Sequence, residues 1–292
     1  MGNMVRQCSM CMNTTSSECK VDTLQGVGYT LLFIPGILLH IAAFCAFRLC
    51  SWTDTHIYMF NLALADSTLI LFLPFRIYDA FRCLPKNSLC MFLFNFHFLN
   101  MYASILTTAA VSVHRYLAVR FPMQARSWSR KKETAIAVCF IIWGLLITVC
   151  AVFREENSPD KLWTCYERRK DKPLSLVFIL LLLLLGYFLP LLTIVFCSSQ
   201  IIYILFKLND ETQEKKGIIG IVTANLVVFV VCFTPINVSY IVNYLSKPPA
   251  DWQCRPMLAH TYLIVSEWIA STNCCFDSIS YYFLLKHFYS QQ

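Results

Sequence analysis

The chain has 292 residues, of which 57% are hydrophobic and only 14% charged, with a formal net charge of +7. Aliphatic runs on this scale do not fit into the core of one water-soluble domain, so the bilayer is the solvent the composition calls for. The basic residues are divided among loops on both sides of the apolar runs rather than gathered on one face, which argues against a nucleic-acid partner.

A transmembrane helix needs about 20 mainly apolar residues, and seven stretches qualify, at roughly 27–49, 57–82, 89–120, 133–153, 174–206, 217–246 and 259–284. The expected fold is an all-α membrane protein with a tail at 1–26, a seven-helix bundle at 27–284 and a short amphipathic eighth helix at 285–292 on the inner leaflet. An odd number of crossings puts the two ends on opposite sides. The tail lacks the charged start, apolar middle and small-residue cleavage site of a signal peptide. Arg6 stands where a myristoylation signal needs Ser or Thr. Asn13-Thr14-Thr15 is a glycosylation acceptor, which has a use only away from the cytosol. Asn237-Val238-Ser239 has the same pattern but falls inside the sixth span. Arg120, Arg126, Arg130, Lys131 and Lys132 suit a cytosolic loop, although the stretch Arg154–Lys172 on the opposite side is also basic.

Most of the 15 cysteines lie inside spans, as small apolar fillers. Cys90 and Cys165 face the oxidising side, where pairing is favoured. Cys254 can pair with Cys8, Cys11 or Cys19; Cys19 is nearest the membrane and is the expected partner, though spacing does not settle the choice.

Several spans carry polar groups. His40 lies in the first, either as a bridge to other helices or as a buried histidine bonded to a carbonyl. Asp66 ends the run Asn61-Leu62-Ala63-Leu64-Ala65-Asp66, and a carboxylate at mid-membrane marks a functional interior site by default. Arg76 lies about 15 Å further along the same helix, near the outer mouth, and needs an anion. Glu267 is at a matching depth in the seventh span; Arg76 can pair with it, accept a ligand phosphate or carboxylate, or do both. His97, Asn100, Met101 and Tyr102 follow Cys90 at helical spacing, Met101 and Tyr102 suiting packing as well as ligand contact. His114-Arg115-Tyr116 and Pro122 close the third span, Trp143 lies in the fourth and Pro190 in the fifth. The sixth carries Cys232-Phe233-Thr234-Pro235, and the seventh Asn273-Cys274-Cys275-Phe276-Asp277-Ser278-Ile279-Ser280-Tyr281. The prolines remove a backbone bond and mark kinks.

One such landmark per span, in this order and over nearly the whole chain, resembles the rhodopsin-like (class A) G-protein-coupled receptors. The non-proline Ser278 after Asp277, then Tyr281-Tyr282-Phe283 and Lys286-His287-Phe288, with ANLVVFVVCFTP in the sixth span and HIYMFNLALAD in the second, looks like one branch of them. That branch holds the G-protein-coupled receptor 35 type and its lysophosphatidylinositol-responsive relative. The resemblance implies a multi-pass plasma-membrane receptor, amino terminus outside, that is not an enzyme. It implies a response to an anionic small molecule or lysophospholipid through heterotrimeric G proteins of the inhibitory or Rho-activating class.

Residue by residue, the resemblance implies a Cys90–Cys165 bridge tying a loop over the bundle. It implies an allosteric sodium ion held by Asp66, Ser104, Asn273 and Asp277, and no other cofactor; the bland alternative is a protonated Asp66 bonded to Asn273. Coupling would fall to His114, Arg115, Tyr116, Met123 and Lys215, and switching to Phe229, Phe233, Pro235 and Tyr281. The ligand would meet Arg76, His97, Met101, Tyr102, Asn243 and Glu267, with Arg154, Arg168 and Arg169 keeping the mouth basic.

The departures from the family pattern carry expectations too. His40 replaces an asparagine and either bridges to the second and seventh helices or is a buried histidine bonded to a backbone carbonyl. His97 stands where amine receptors have an aspartate, which argues against a biogenic amine by that route. Met101 and Asn243 replace two pocket arginines of the first type, while Arg76 matches the basic residue of the lysolipid relative. His114 replaces the Asp or Glu that holds the neighbouring arginine at rest, so a weaker latch and raised basal signalling are expected. Ser278 and Ser198 replace a proline and a tyrosine used in activation. Two competing readings are a transporter, which would need discontinuous helices and a repeated half, and a non-signalling scavenger receptor, which His114 and Ser278 would suit.

Overall fold

A computed structural model describes residues 22–48, 54–123, 132–207, 213–246, 248 and 257–279. Among the described residues, seven helices form the bundle: α1 (Thr23–Phe47), α2 (Asp54–Arg82), α3 (Ser88–Arg120), α4 (Lys132–Val152), α5 (Leu176–Lys207), α6 (Gln213–Leu245) and α7 (Leu258–Ser271, resuming at 273–279). Among the described residues, the first six are each long and apolar enough to cross a membrane. Asn13, Cys19, Cys254, Tyr281 and the expected eighth helix lie outside the described residues.

The helices start where a side chain can satisfy their first free N–H groups. Asp22 accepts from the Gln25 N–H at 3.1 Å and Asn87 from that of Cys90 at 3.1 Å, and Ser175 caps α5 through Phe178. Asp22 starts α1 at Thr23, so helix begins inside the stretch 1–26 read as tail. At the other end of the bundle, α6 extends back to Gln213, short of the apolar run that begins at 217.

The sides of the bundle are apolar and its axis is polar. Leu31, Leu38, Phe140, Ile141, Val177, Leu192 and Phe206 are exposed, whereas Asp66, Arg76, Asn100, Asn237 and Asn273 are buried. Water would penalise that arrangement and hydrocarbon favours it, because only the outward face meets the solvent. Polar contacts then join helices that lipid alone would not press together. The Trp143 indole donates to Asn61 Oδ1 at 3.0 Å, and the Asn61 amide reaches Thr107 at 3.4 Å, linking α4, α2 and α3. Asn237, in the discounted glycosylation pattern, is buried in α6 and donates to the Phe233 carbonyl at 2.8 Å.

Helix α5 is interrupted by a single wide turn, Leu184–Phe188, in which the ladder shifts to a π pattern. Gly186 in this turn lets α3 approach closely, since a Cβ there would stand 2.4 Å from the Tyr102 ring. The extra residue turns Tyr187 inward, where its hydroxyl is 2.7 Å from Thr234 of α6 and its ring stacks on Phe229. Between α4 and α5 the chain makes two 3-10 turns, Arg154–Asn157 and Pro159–Lys161, and then a tight hairpin closed by the Leu162–Arg168 bridge.

Candidate functional site

Arg76 lies two residues beyond Pro74 within α2 and is only 2% exposed. Its Nη2 donates to Glu267 Oε2 of α7 at 2.5 Å, an ion pair that is one of the two roles the sequence left open for Arg76. Its Nη1 lies 2.7 Å from His97 Nε2 of α3. A guanidinium only donates, so His97 accepts with Nε2 and carries its proton on Nδ1. The faces of the guanidinium are covered by aromatic rings, Tyr29 at 4.3 Å and Tyr166 at 5.1 Å from the centroids. Among the described residues, Arg76 Nε is buried with no hydrogen-bond partner.

Tyr166 is brought there by a chain of loop contacts. The Cys90–Cys165 disulfide, with Cα atoms 5.4 Å apart, ties the hairpin to α3. Asp79, buried at the end of α2, accepts from the N–H groups of Tyr166 at 3.1 Å, Cys165 at 3.4 Å and Leu84 at 2.7 Å. Glu167 accepts from His260 at the start of α7, so the hairpin is held on three sides. Burial among these neighbours pushes the Tyr166 phenol above its ordinary range, and the ring stays neutral over Arg76.

Beneath the hairpin a cavity opens outward, with an empty volume of about 870 Å³ including its mouth. It brings together Arg76, His97, Met101, Arg168, Asn243 and Glu267 of the residues picked out in the sequence. Tyr102 is buried against Phe98 instead, and Arg154 and Arg169 stand outside the lining. Arg168 lines the cavity, but its guanidinium is engaged in the loop. Nε donates to the Lys172 carbonyl at 2.7 Å, Nη1 to that of Glu156 at 2.5 Å and Nη2 to the Glu156 carboxylate at 3.0 Å. Sequence reasoning missed Tyr166, Glu167, Tyr240, Tyr244 and His260 in the lining. Asp79 had a signal, a carboxylate a turn beyond Arg76; the aromatic residues had none.

At mid-bundle, the Asn273 amide donates to Ser104 Oγ at 2.8 Å and to Asp277 Oδ2 at 2.6 Å. Among the described residues, Asp66 Oδ2 is buried without a hydrogen-bond partner. Asn100, left unassigned by the sequence, donates to the Ala65 carbonyl beside it. His40 bridges α1 to both expected helices, with Nδ1 3.1 Å from Ser67 Oγ and Nε2 3.1 Å from Ser278 Oγ. Ser278, the residue in place of the family's proline, is thus the contact that His40 makes in α7.

At the opposite end of the bundle, a cavity of about 500 Å³ is lined by Arg115, Asn225, Phe229, Phe233, Asn273 and Asp277. His114 packs on the Tyr58 ring at 5.7 Å. Arg115 makes no ion pair among the described residues. Tyr116 packs on Phe196, Met123 is 81% exposed and Lys215 approaches the Phe206 ring. Phe229 and Phe233 touch edge to face at 5.3 Å around the α6 kink at Pro235. Cys83 is also disulfide-bonded, although the sequence left it unassigned; the other described cysteines are free or in the Cys90–Cys165 bridge.

Comparison with known proteins agrees with this geometry. Residues 36–281 match the family model of the 7 transmembrane receptor (rhodopsin family). The chain is 31% identical to "G-protein coupled receptor 55" of Homo sapiens, over 96% of this chain and 92% of that protein. It is 32% identical to "G-protein coupled receptor 35" of Mus musculus, over 95% and 90% of the two lengths. With "Lysophosphatidic acid receptor 6" of Mus musculus the identity is 30%, over 93% and 85%. Proteins of this family are receptors and not enzymes. By its fold, its buried polar axis and these matches, the chain belongs to the rhodopsin family of seven-transmembrane receptors.

Proposed function

We propose that this receptor stands in the plasma membrane with its amino terminus outside, binds a lysophospholipid in the outer cavity, and promotes nucleotide exchange on a heterotrimeric G protein of the inhibitory or Rho-activating class. The observation that carries the ligand reading is Arg76, a buried cation on the wall of an outward-opening, aromatic-lined cavity. A phosphate reaching it would replace His97 as acceptor and compete with Glu267, loosening α2 from α3 and α7. A ligand acts by favouring one of two helix packings, and only its difference in affinity between them does work. The relatives named as lysophosphatidic acid receptors are consistent with a lipid phosphate at this position.

The mid-bundle residues fit a sodium ion. Asp66 has a buried, unpartnered oxygen, and Ser104, Asn273 and Asp277 would complete an all-oxygen set suited to a hard cation. When bound, the ion would supply positive charge between two carboxylates. The protein's own part is the Asn273 amide, which orients Ser104 and Asp277.

The test is G-protein activation in cells by a panel of lysophospholipids, nucleotides and aromatic acids, on wild type and Arg76→Ala matched for surface level. The reading expects a lysophospholipid to activate wild type and Arg76→Ala to lose that response. Equal responses in both would contradict it, and binding with no G-protein activation would favour the scavenger.

A further inference from the structure

The charged atoms that the outer cavity presents are mainly acidic. Arg76 and Arg168 are 2% and 8% exposed, whereas Glu267 and Glu167 are 22% and 17% exposed. Arg168 is committed to Glu156 and to loop carbonyls. Glu267 gives Oε2 to Arg76, and among the described residues its Oε1 makes no hydrogen bond. Glu167 gives one oxygen to His260. Arg76 is already paired with Glu267 and Arg168 with Glu156, so neither lining arginine is left unmatched, and a ligand with anionic charge alone would add an uncompensated charge beside two carboxylates. The same cavity is lined by the tyrosines Tyr240 and Tyr244, beside Tyr166, which covers Arg76. Carboxylates among aromatic faces form the chemistry that holds an ammonium group, including a quaternary one.

Resting on the lysophospholipid reading above, we propose that the ligand is a zwitterion, a single-chain lysophospholipid whose headgroup carries an ammonium as well as its phosphate. The phosphate turns to Arg76 and the ammonium to Glu267 and Glu167, so the headgroup matches the cavity charge for charge without taking up a proton. His97 leaves this role open, because it has no charge to offer an amine, and Glu267 supplies the carboxylate from α7 instead.

The experiment measures lipid affinity from the thermal stabilisation of purified full-length receptor, using lipids below their micelle-forming concentrations. The probes are oleoyl lysophosphatidylcholine, oleoyl lysophosphatidylethanolamine, oleoyl lysophosphatidic acid and glycerophosphocholine, the last testing the headgroup without its chain. The zwitterionic lipids are expected to bind wild type at least about tenfold more tightly than lysophosphatidic acid. Glu267→Gln should weaken them by about tenfold, the scale of one desolvated cation contact, with no loss of lysophosphatidic acid binding. Glu167→Gln, which leaves the Arg76 pair intact, should weaken the zwitterions in the same direction, so the test survives if Glu267→Gln folds poorly. Competition by glycerophosphocholine would support the same headgroup chemistry from a soluble source. Tighter binding of lysophosphatidic acid, indifferent to both glutamate variants, overturns the zwitterion and leaves the lysophospholipid reading standing. No stabilisation by any lysolipid overturns both.

Discussion

Arg76 and Glu267 are held by each other, and each is costly to bury alone. Removing one member of a buried pair costs about 3–5 kcal/mol, because the other charge is left unpaired. Glu267→Ala should therefore lower the unfolding midpoint of the purified receptor more than Glu267→Gln, which keeps an acceptor for Arg76; equal midpoints would show that the pair carries no such burden. This pair was legible from the sequence because each member is an ionisable residue within an apolar run. Tyr166 and Glu167 were not, since their place depends on a loop path set by Asp79, the disulfide and His260. Single residues also decide the inner end. With His114 on Tyr58 and Arg115 unpaired among the described residues, basal signalling should be high. His114→Asp should lower agonist-free G-protein activation at matched surface level, and unchanged output would count against a missing latch.

Elements differ in how far the sequence announces them. The α5 span was expected at 174–206 and runs Leu176–Lys207, but hydropathy gave no sign of the π turn at Leu184–Phe188, because a shift of one hydrogen bond changes no composition. Helix α6 begins earlier than its apolar run, since hydropathy marks the edge of lipid and not the last helical hydrogen bond. The π turn has a testable role: Tyr187→Phe removes the hydroxyl that joins α5 to Thr234, next to the α6 kink, while leaving the Phe229 stack. It should change agonist-free activity with little change in ligand affinity, and an affinity loss with unaltered basal activity would assign Tyr187 to the ligand instead. The outer loop responds to pH in a predictable direction. Burial alone would raise the Glu156 carboxyl, but hydrogen bonds from Ser175, with Lys161 and Arg168 nearby, outweigh it and hold it below its ordinary range. Such a group contributes stability above its unfolded value, about 4.3, and loses it only as pH falls through the lower folded value. Hydrogen exchange across Arg154–Ser175 should thus show this clamp unchanged between about pH 7 and pH 5; loss of protection in that window would place its support elsewhere.

At the scale of the whole molecule, the polar axis and apolar flanks are one statement about the solvent. The seven crossings could be read from apolar runs, and the family from one landmark per span. What could not be read was how departures fit each other: His40 and Ser278 stand 238 positions apart in the sequence and meet across α1 and α7. The outer cavity was half legible, its ion pair visible and its aromatic wall hidden, because tyrosines and phenylalanines are as common in packing as in ligand contact. The polar axis links the outer cavity at His97 and Met101 to mid-bundle, and mid-bundle to Arg115 through Asn273 and Phe233. The central claim is that this axis carries a signal from an outer ligand to a cytosolic partner through Arg115. Nucleotide exchange on purified heterotrimeric G protein by the purified receptor in lipid discs tests it directly. Wild type should accelerate exchange and Arg115→Ala should not, although both keep the same lipid affinity; equal acceleration by the two, or none by either, would contradict the account.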